Sequence, residues 1–77
     1  VVKATRVTNN IRGLRSDAGE MTQAALADRV GVTRQTIIAI EQGRYSPSLE
    51  VAFQIARVFG RTLDEVFQYP DPFAEAE

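Results

Sequence analysis

QAALADRVGVTRQTIIAIEQ, residues Gln23 to Gln42, is the stretch whose reading decides the fold. It divides into two short helices around a tight turn. Leu26 and Val30 lie four apart in the first half and Ile37 and Ile40 three apart in the second, which is the spacing of one buried helical face. Gly31 falls where the first of these helices must stop, and Thr33 where the second must start. Arg34, Gln35 and Thr36 then stand at the open N-terminal end of the second helix. That polar end is a surface for contact with something outside the chain, nucleic acid being the first candidate.

Upstream, Thr22 is a good N-cap, which sets the helix at Gln23 to Val30 with Leu26, Ala27 and Val30 turned inward. Ile11 and Leu14, three apart, predict an earlier helix over residues 9–18, capped by Thr8 or Asn9 and stopped by Gly19. Val1, Val2, Thr5 and Val7 carry a β-branched bias with no helical period, so the start of the chain reads as a short strand or a loose arm.

Downstream, Val32 plugs the gap between the paired helices and Gly43 closes the third helix after Gln42. Arg44, Tyr45, Ser46 and Pro47 form a loop, because the proline discourages helix in the residue before it. Ser48 caps a fourth helix over residues 49–59. Its apolar residues surround the axis and leave only Glu50, Gln54 and Arg57 for water; such a helix is central or is covered by a second subunit. Gly60 stops it, and Thr62 with Glu65 forms a capping box that opens a fifth helix through Phe67. The chain thus organises as an arm or strand over residues 1–8, one helical domain over 9–69 and an acidic tail over 70–77.

Seventy-seven residues, 44 % of them hydrophobic, suffice for one core and not for two. The chain has no cysteine and no histidine, so there is no disulfide framework, the usual zinc ligands are missing, and no cofactor is expected. Scattered acids and the lack of a glycine-rich phosphate loop argue against an enzyme. No apolar run approaches the length of a membrane span, and no charged start leads into an apolar stretch, so a cytoplasmic protein without a membrane partner is expected. The chain opens on Val1 rather than Met, so the native start lies upstream or was altered.

A net charge of −1 is unusual for a partner of nucleic acid. Its distribution is more informative than its total. Residues 1–46 carry seven basic side chains (Lys3, Arg6, Arg12, Arg15, Arg29, Arg34, Arg44) against four acidic ones, whereas residues 47–77 carry two basic against six acidic. A positive face with a negative far side is compatible with docking on phosphates; a solvated mixture of charges is the plainer alternative.

Gln23, Ala27, Gly31, Ile37 and Ile40, followed by EQGRYSPSLEVAFQIARVFG from Glu41 to Gly60, strongly resemble the Cro and phage-repressor type of helix-turn-helix protein, the XRE family, in its compact single-domain form. The resemblance spans residues 9–68 and implies an all-α, five-helix, lambda-repressor-like domain. Physical reasons for the pattern can be given independently. Ala27 faces the third helix at the crossing, where a larger side chain would drive apart axes about 8 to 10 Å from each other. Gly31 meets the positive φ of the turn, which costs a residue with a Cβ about 1 kcal/mol or more.

The resemblance implies a transcriptional regulator that binds double-stranded DNA, most simply a repressor, with the third helix in the major groove. It places Arg34, Gln35 and Ala39 toward base edges, with Thr36 and Ile38 alongside; Ile38 reads equally well as ordinary packing. Phosphate contacts map to Gln23 at the start of the second helix, to Arg44, Tyr45 and Ser46 after the third, and to Thr33 beyond its role as a cap. Arg15 and Glu41 match a structural ion pair that ties the first helix to the end of the third, with Arg12 as the alternate because Glu20 lengthens the connection by one residue.

A homodimer is implied, with Leu63, Val66, Phe67, Tyr69 and Phe73 as its candidate interface; for Val66 and Phe67 the alternative is the monomer core. Compact relatives also pair their N-terminal strand with the segment after the fifth helix, which here sets Arg6–Thr8 against Val66–Tyr69. The competing function is a DNA-binding antitoxin or restriction-modification controller, whose protein partner would dock on the acidic tail from Asp71 to Glu77.

Overall fold

The computed structural model describes residues 5–70, and in them three of five helices open on a hydroxyl that accepts one of the orphan N–H groups of the first turn. Thr22 Oγ1 accepts from Ala25 N (3.0 Å) at the start of α2 (Gln23–Val30). Thr33 Oγ1 accepts from Thr36 N (3.2 Å) at the start of α3 (Arg34–Glu41). Ser48 Oγ accepts from Val51 N (3.2 Å) at the start of α4 (Leu49–Phe59). The capping box of α5 (Leu63–Val66) is anchored by Glu65 Oε1, which accepts from Thr62 N at 2.8 Å.

α1 (Ile11–Asp17) precedes these, and a two-stranded antiparallel sheet, β1 (Thr8–Asn9) with β2 (Phe67–Gln68), joins the two ends of the domain. The architecture is therefore all-α with one small sheet, as the resemblance implies. Among the described residues no helix is long and apolar enough to cross a membrane.

The core sits where α1, α2, α3, α4 and α5 meet. Ile11, Leu26, Ile37, Ile40, Ile55 and Val66 are its fully buried side chains, each helix contributing at least one. α2 packs on both α3 and α4. Ala27 is buried, its small side chain admitting the close approach of α3, and Val32 packs against the core between the two helices. Gly31 turns the chain with φ +74°, and its N–H donates to the Ala27 carbonyl. This left-handed conformation lets the chain reverse out of α2 and enter α3 after only Gly31, Val32 and Thr33.

Three expectations shift. The first helix begins at Ile11 rather than at 9, because Thr8 and Asn9 belong to β1 and Asn9 Oδ1 accepts from Ile11 N at 3.1 Å. The fifth helix ends at Val66, since Phe67 adopts extended backbone (φ −119°, ψ 140°) and pairs with Asn9. The strand pairing is displaced from Arg6–Thr8 to Thr8↔Gln68 and Asn9↔Phe67. Asn9 fixes that register by donating from Nδ2 to the Ile40 carbonyl (3.0 Å), and Asn10 N donates to the Val66 carbonyl (2.9 Å). Arg6 falls outside the ladder and lies over the Tyr69 ring, 5.9 Å from its centroid.

α4 is not enclosed on all sides. Ala52, Ile55 and Ala56 are buried, and Val51, Val58 and Phe59 pack partly against the core, but Leu49 and Phe53 face outward.

Candidate nucleic-acid interface

Ile37 and Ile40 point α3 inward, and at about 100° per residue the opposite stripe carries Gln35, Ala39 and Gln42, flanked by Arg34 and Ile38 on one side and Thr36 on the other. Arg34, Gln35 and Gln42 are exposed; Thr36, Ile38 and Ala39 are half-buried. Ile38 is not one of the partly buried side chains that pack against the core, so it belongs to the outer surface. The Thr36 hydroxyl lies 3.0 Å from that of Thr33, and the two share a hydrogen bond at the N-terminal end of the helix.

Behind this surface Glu41 is the hub that holds it. Arg15 Nε donates to Glu41 Oε2 (2.7 Å) and Nη2 to Oε1 (3.0 Å), a bidentate pair with side chains only 15 % and 9 % exposed. Arg15 Nη1 also donates to the Met21 carbonyl (2.9 Å), so the arginine spans α1, the α1–α2 loop and α3. Gln23 Nε2 donates to Glu41 Oε1 (3.2 Å), which ties the first residue of α2 to the last of α3. The geometry selects Arg15 over Arg12 because two consecutive left-handed residues, Gly19 (φ +83°) and Glu20 (φ +62°), take up the extra length of the loop.

Two concavities flank α3. The first is floored by Arg15 and Glu41 and walled by Arg12, Thr22, Gln23, Arg34 and Gln42. The second, on the other side, gathers Gln35, Thr36, Ala39, Arg44 and Tyr45. Arg15–Glu41 is the sole ion pair among the described residues, so Arg12, Arg34 and Arg44 have no ion-pair partner there. Arg44 Nε instead donates to Gln42 Oε1 at 2.9 Å.

The structure thus brings Gln23 and Arg34 together on one side, and Gln35, Thr36 and Ala39 with Arg44 and Tyr45 on the other. Ser46 joins neither group. The chain turns before Pro47, and Ser46, itself exposed, borders a separate apolar concavity with Val7, Leu49 and Leu63. Arg12 and Gln42 belong to the surface although the sequence reading gave them no DNA role. Both left a signal: Arg12 is a basic residue one turn before Arg15, and Gln42 lies seven residues after Gln35, two turns along the same face.

The dimer candidates divide in the same way. Val66 is 0 % and Phe67 9 % exposed, so both complete the monomer core and neither is free to meet a second subunit. Leu63 is half-buried and Tyr69 is 63 % exposed. Phe73 and the acidic tail from Asp71 lie outside the described residues.

Two capped helices, a left-handed glycine between them and a polar outer face on the second define a helix-turn-helix domain. Residues 11–66 match the family model described as helix-turn-helix, and the chain belongs to that family in its XRE-type branch. It is 59 % identical over 58 residues to an uncharacterized HTH-type transcriptional regulator of Methanothermobacter thermautotrophicus, covering 74 % of this chain and 83 % of the relative. It is 55 % identical over 51 residues to another from Methanocaldococcus jannaschii (66 % and 77 % covered). Identity to the uncharacterized HTH-type transcriptional regulator YgzD of Bacillus subtilis is 44 % over 59 residues (77 % and 88 % covered). A crystal structure from Bacteroides fragilis shares the fold, with a TM-score of 0.70 at 19 % identity over 80 % of this chain and 98 % of the other.

Proposed function

We propose that this chain is a sequence-specific DNA-binding transcriptional regulator, a repressor that occupies its operator as a homodimer with α3 in the major groove. The observation that carries this reading is the outer face of α3: exposed Arg34 and Gln35 at its open end, with Arg12 and Arg44, which have no ion-pair partner among the described residues, on its two flanks. A base-reading centre between two cationic edges suits a duplex, whose phosphates border the groove on both sides. The relatives named as transcriptional regulators support the same reading.

In this role Arg34 addresses a guanine at O6 and N7, and Gln35 an adenine at N6 and N7. Ile38 and Ala39 meet thymine methyl groups, and Thr36 lies at the edge of the readout. Gln23, Thr33, Arg44 and Tyr45 take phosphates, and Arg12 joins them from α1. One Gln23 amide hydrogen is engaged by Glu41, and the second remains for the DNA backbone. The homodimer forms through apolar side chains outside this surface, Leu63 and Tyr69 being candidates. Selection of bound sites from a random DNA pool tests the whole reading. An inverted repeat with half-sites about 10 bp apart centre to centre is expected. Recovery of no common sequence, together with an absence of salt-dependent binding, overturns it.

A further inference from the structure

The outer face of α4 lies outside the proposed DNA surface. Leu49 is 66 % and Phe53 49 % exposed, one turn apart on the same side of the helix. Leu49 also borders the concavity that holds Val7, Pro47, Leu63 and Phe67, so the apolar surface continues from α4 toward the joined termini. Glu50 and Arg57 flank Phe53 along this helix. Seven residues return to within about 20° of the same direction and advance about 10 Å, so the acid and the base stand in line with each other, one below and one above the level of Phe53, which lies about 50° to one side of that line. Both are exposed, and neither has an ion-pair partner among the described residues.

This charge order is antisymmetric about Phe53 and Gln54. When two copies of α4 run antiparallel across a two-fold axis at that point, residue 50 of each faces residue 57 of the other, and both Phe53 rings lie beside the axis. A parallel arrangement would set Glu50 against Glu50 and Arg57 against Arg57, opposing like charges. We infer that the outer face of α4 pairs antiparallel with that of a second copy, enclosing Phe53 between two reciprocal Glu50–Arg57 ion pairs, with Leu49 at the margin of the contact. The inference rests on the homodimer of the proposed function and places its central contact on α4 rather than at Leu63 and Tyr69. An isologous contact of this kind closes at two subunits and leaves no free α4 face for further growth.

Sedimentation equilibrium of the full chain with four variants tests it, each variant checked for helicity and melting temperature by circular dichroism. Phe53→Glu is expected to raise the dimer dissociation constant by at least about 30-fold, as loss of a central apolar anchor does. Glu50→Arg and Arg57→Glu are each expected to weaken the dimer about tenfold, and the double reversal Glu50→Arg/Arg57→Glu to return it to within about threefold of the parent. A parent that stays monomeric overturns the inference, as do single reversals without effect in folded protein or a double reversal that fails to restore association. Binding of a short duplex carrying one half-site is measured alongside. A dimer that responds as described but binds no DNA supports the α4 pairing while defeating the DNA-binding reading.

Discussion

α3 and α4 open on the same kind of hydroxyl cap, bury a stripe of apolar side chains against the same core, and run out beside a left-handed glycine, yet their outer faces carry opposite chemistry. α3 presents Arg34, Gln35 and Gln42, polar groups that water satisfies at no cost until a more specific partner replaces it. α4 presents Leu49 and Phe53, whose exposure forgoes about 25 cal/mol for every Å² left in water. The inner stripe of a helix therefore decides where it sits, and the outer stripe decides what it meets. A polar face that keeps its hydrogen-bonding capacity suits a groove of donors and acceptors, whereas an adjoining pair of exposed apolar side chains suits a protein surface.

The largest expected effect breaks one side of this comparison and spares the other. Glu41→Ala leaves the Arg15 guanidinium mostly buried without its counter-ion and removes the acceptor of Gln23. A loss of about 3 kcal/mol in unfolding free energy is expected, read by urea denaturation. In the fraction that remains folded, operator affinity should fall because α3 and the start of α2 lose their tie. Association through α4 should hold; a dimer that weakens in step with DNA binding would show that the two faces are not independent.

Next in size, Arg34→Ala is expected to lower operator affinity by about 1 to 3 kcal/mol and to relax the preference at one base pair per half-site, measured against a panel of single-base operator variants. Arg44→Ala and Arg12→Ala should act differently: each weakens operator and random DNA alike and reduces the salt dependence of binding by about one. Equal losses on operator and random DNA for all three variants would merge the base-reading centre with its cationic flanks, contrary to the division drawn here. None of the three should change the dimer dissociation constant.

Much of the fold was legible because its signals are local. Thr22, Thr33 and Ser48 each serve the N–H group three residues ahead, and Gly31 and Gly60 stop their helices by their own backbone preference, so α2 and α4 run between the residues expected. What went astray depends on distant partners. The register of β1 against β2 is set by Asn9 reaching the Ile40 carbonyl, 31 positions away, and nothing in the Thr8–Asn10 segment announces that bond. The outer stripe of α4 was ambiguous because apolar residues surround its axis, and only packing tells Ile55 from Phe53. Val66 and Phe67 drew the eye as an interface for a similar reason: an apolar pair at the end of a short helix looks alike whether a core or a partner covers it. On the side proposed to face DNA, residue type and helical position pick out the polar stripe around Gln35, while the positions of Arg12 and Ser46 depend on the path of the loops.

Glu20 offers the smallest effect and a control for both faces. Its φ of +62° is the only positive value at a non-glycine position among the described residues, and it follows directly on Gly19 at +83°. A residue with a Cβ pays roughly 1 to 2 kcal/mol in that conformation, but glycine costs about 0.5 to 1 kcal/mol more in lost backbone freedom on folding. The side chain contributes little in return, since its contact with Ser16 Oγ is exposed and long at 3.4 Å. Glu20→Gly is therefore expected to stabilise the domain by about 0.5 kcal/mol in urea unfolding, with operator affinity and self-association unchanged. A measurable gain or loss in DNA binding would mean that the α1–α2 loop tunes the Arg15–Glu41 pair and through it the pose of α3, tying the recognition face to a loop that no DNA contact requires.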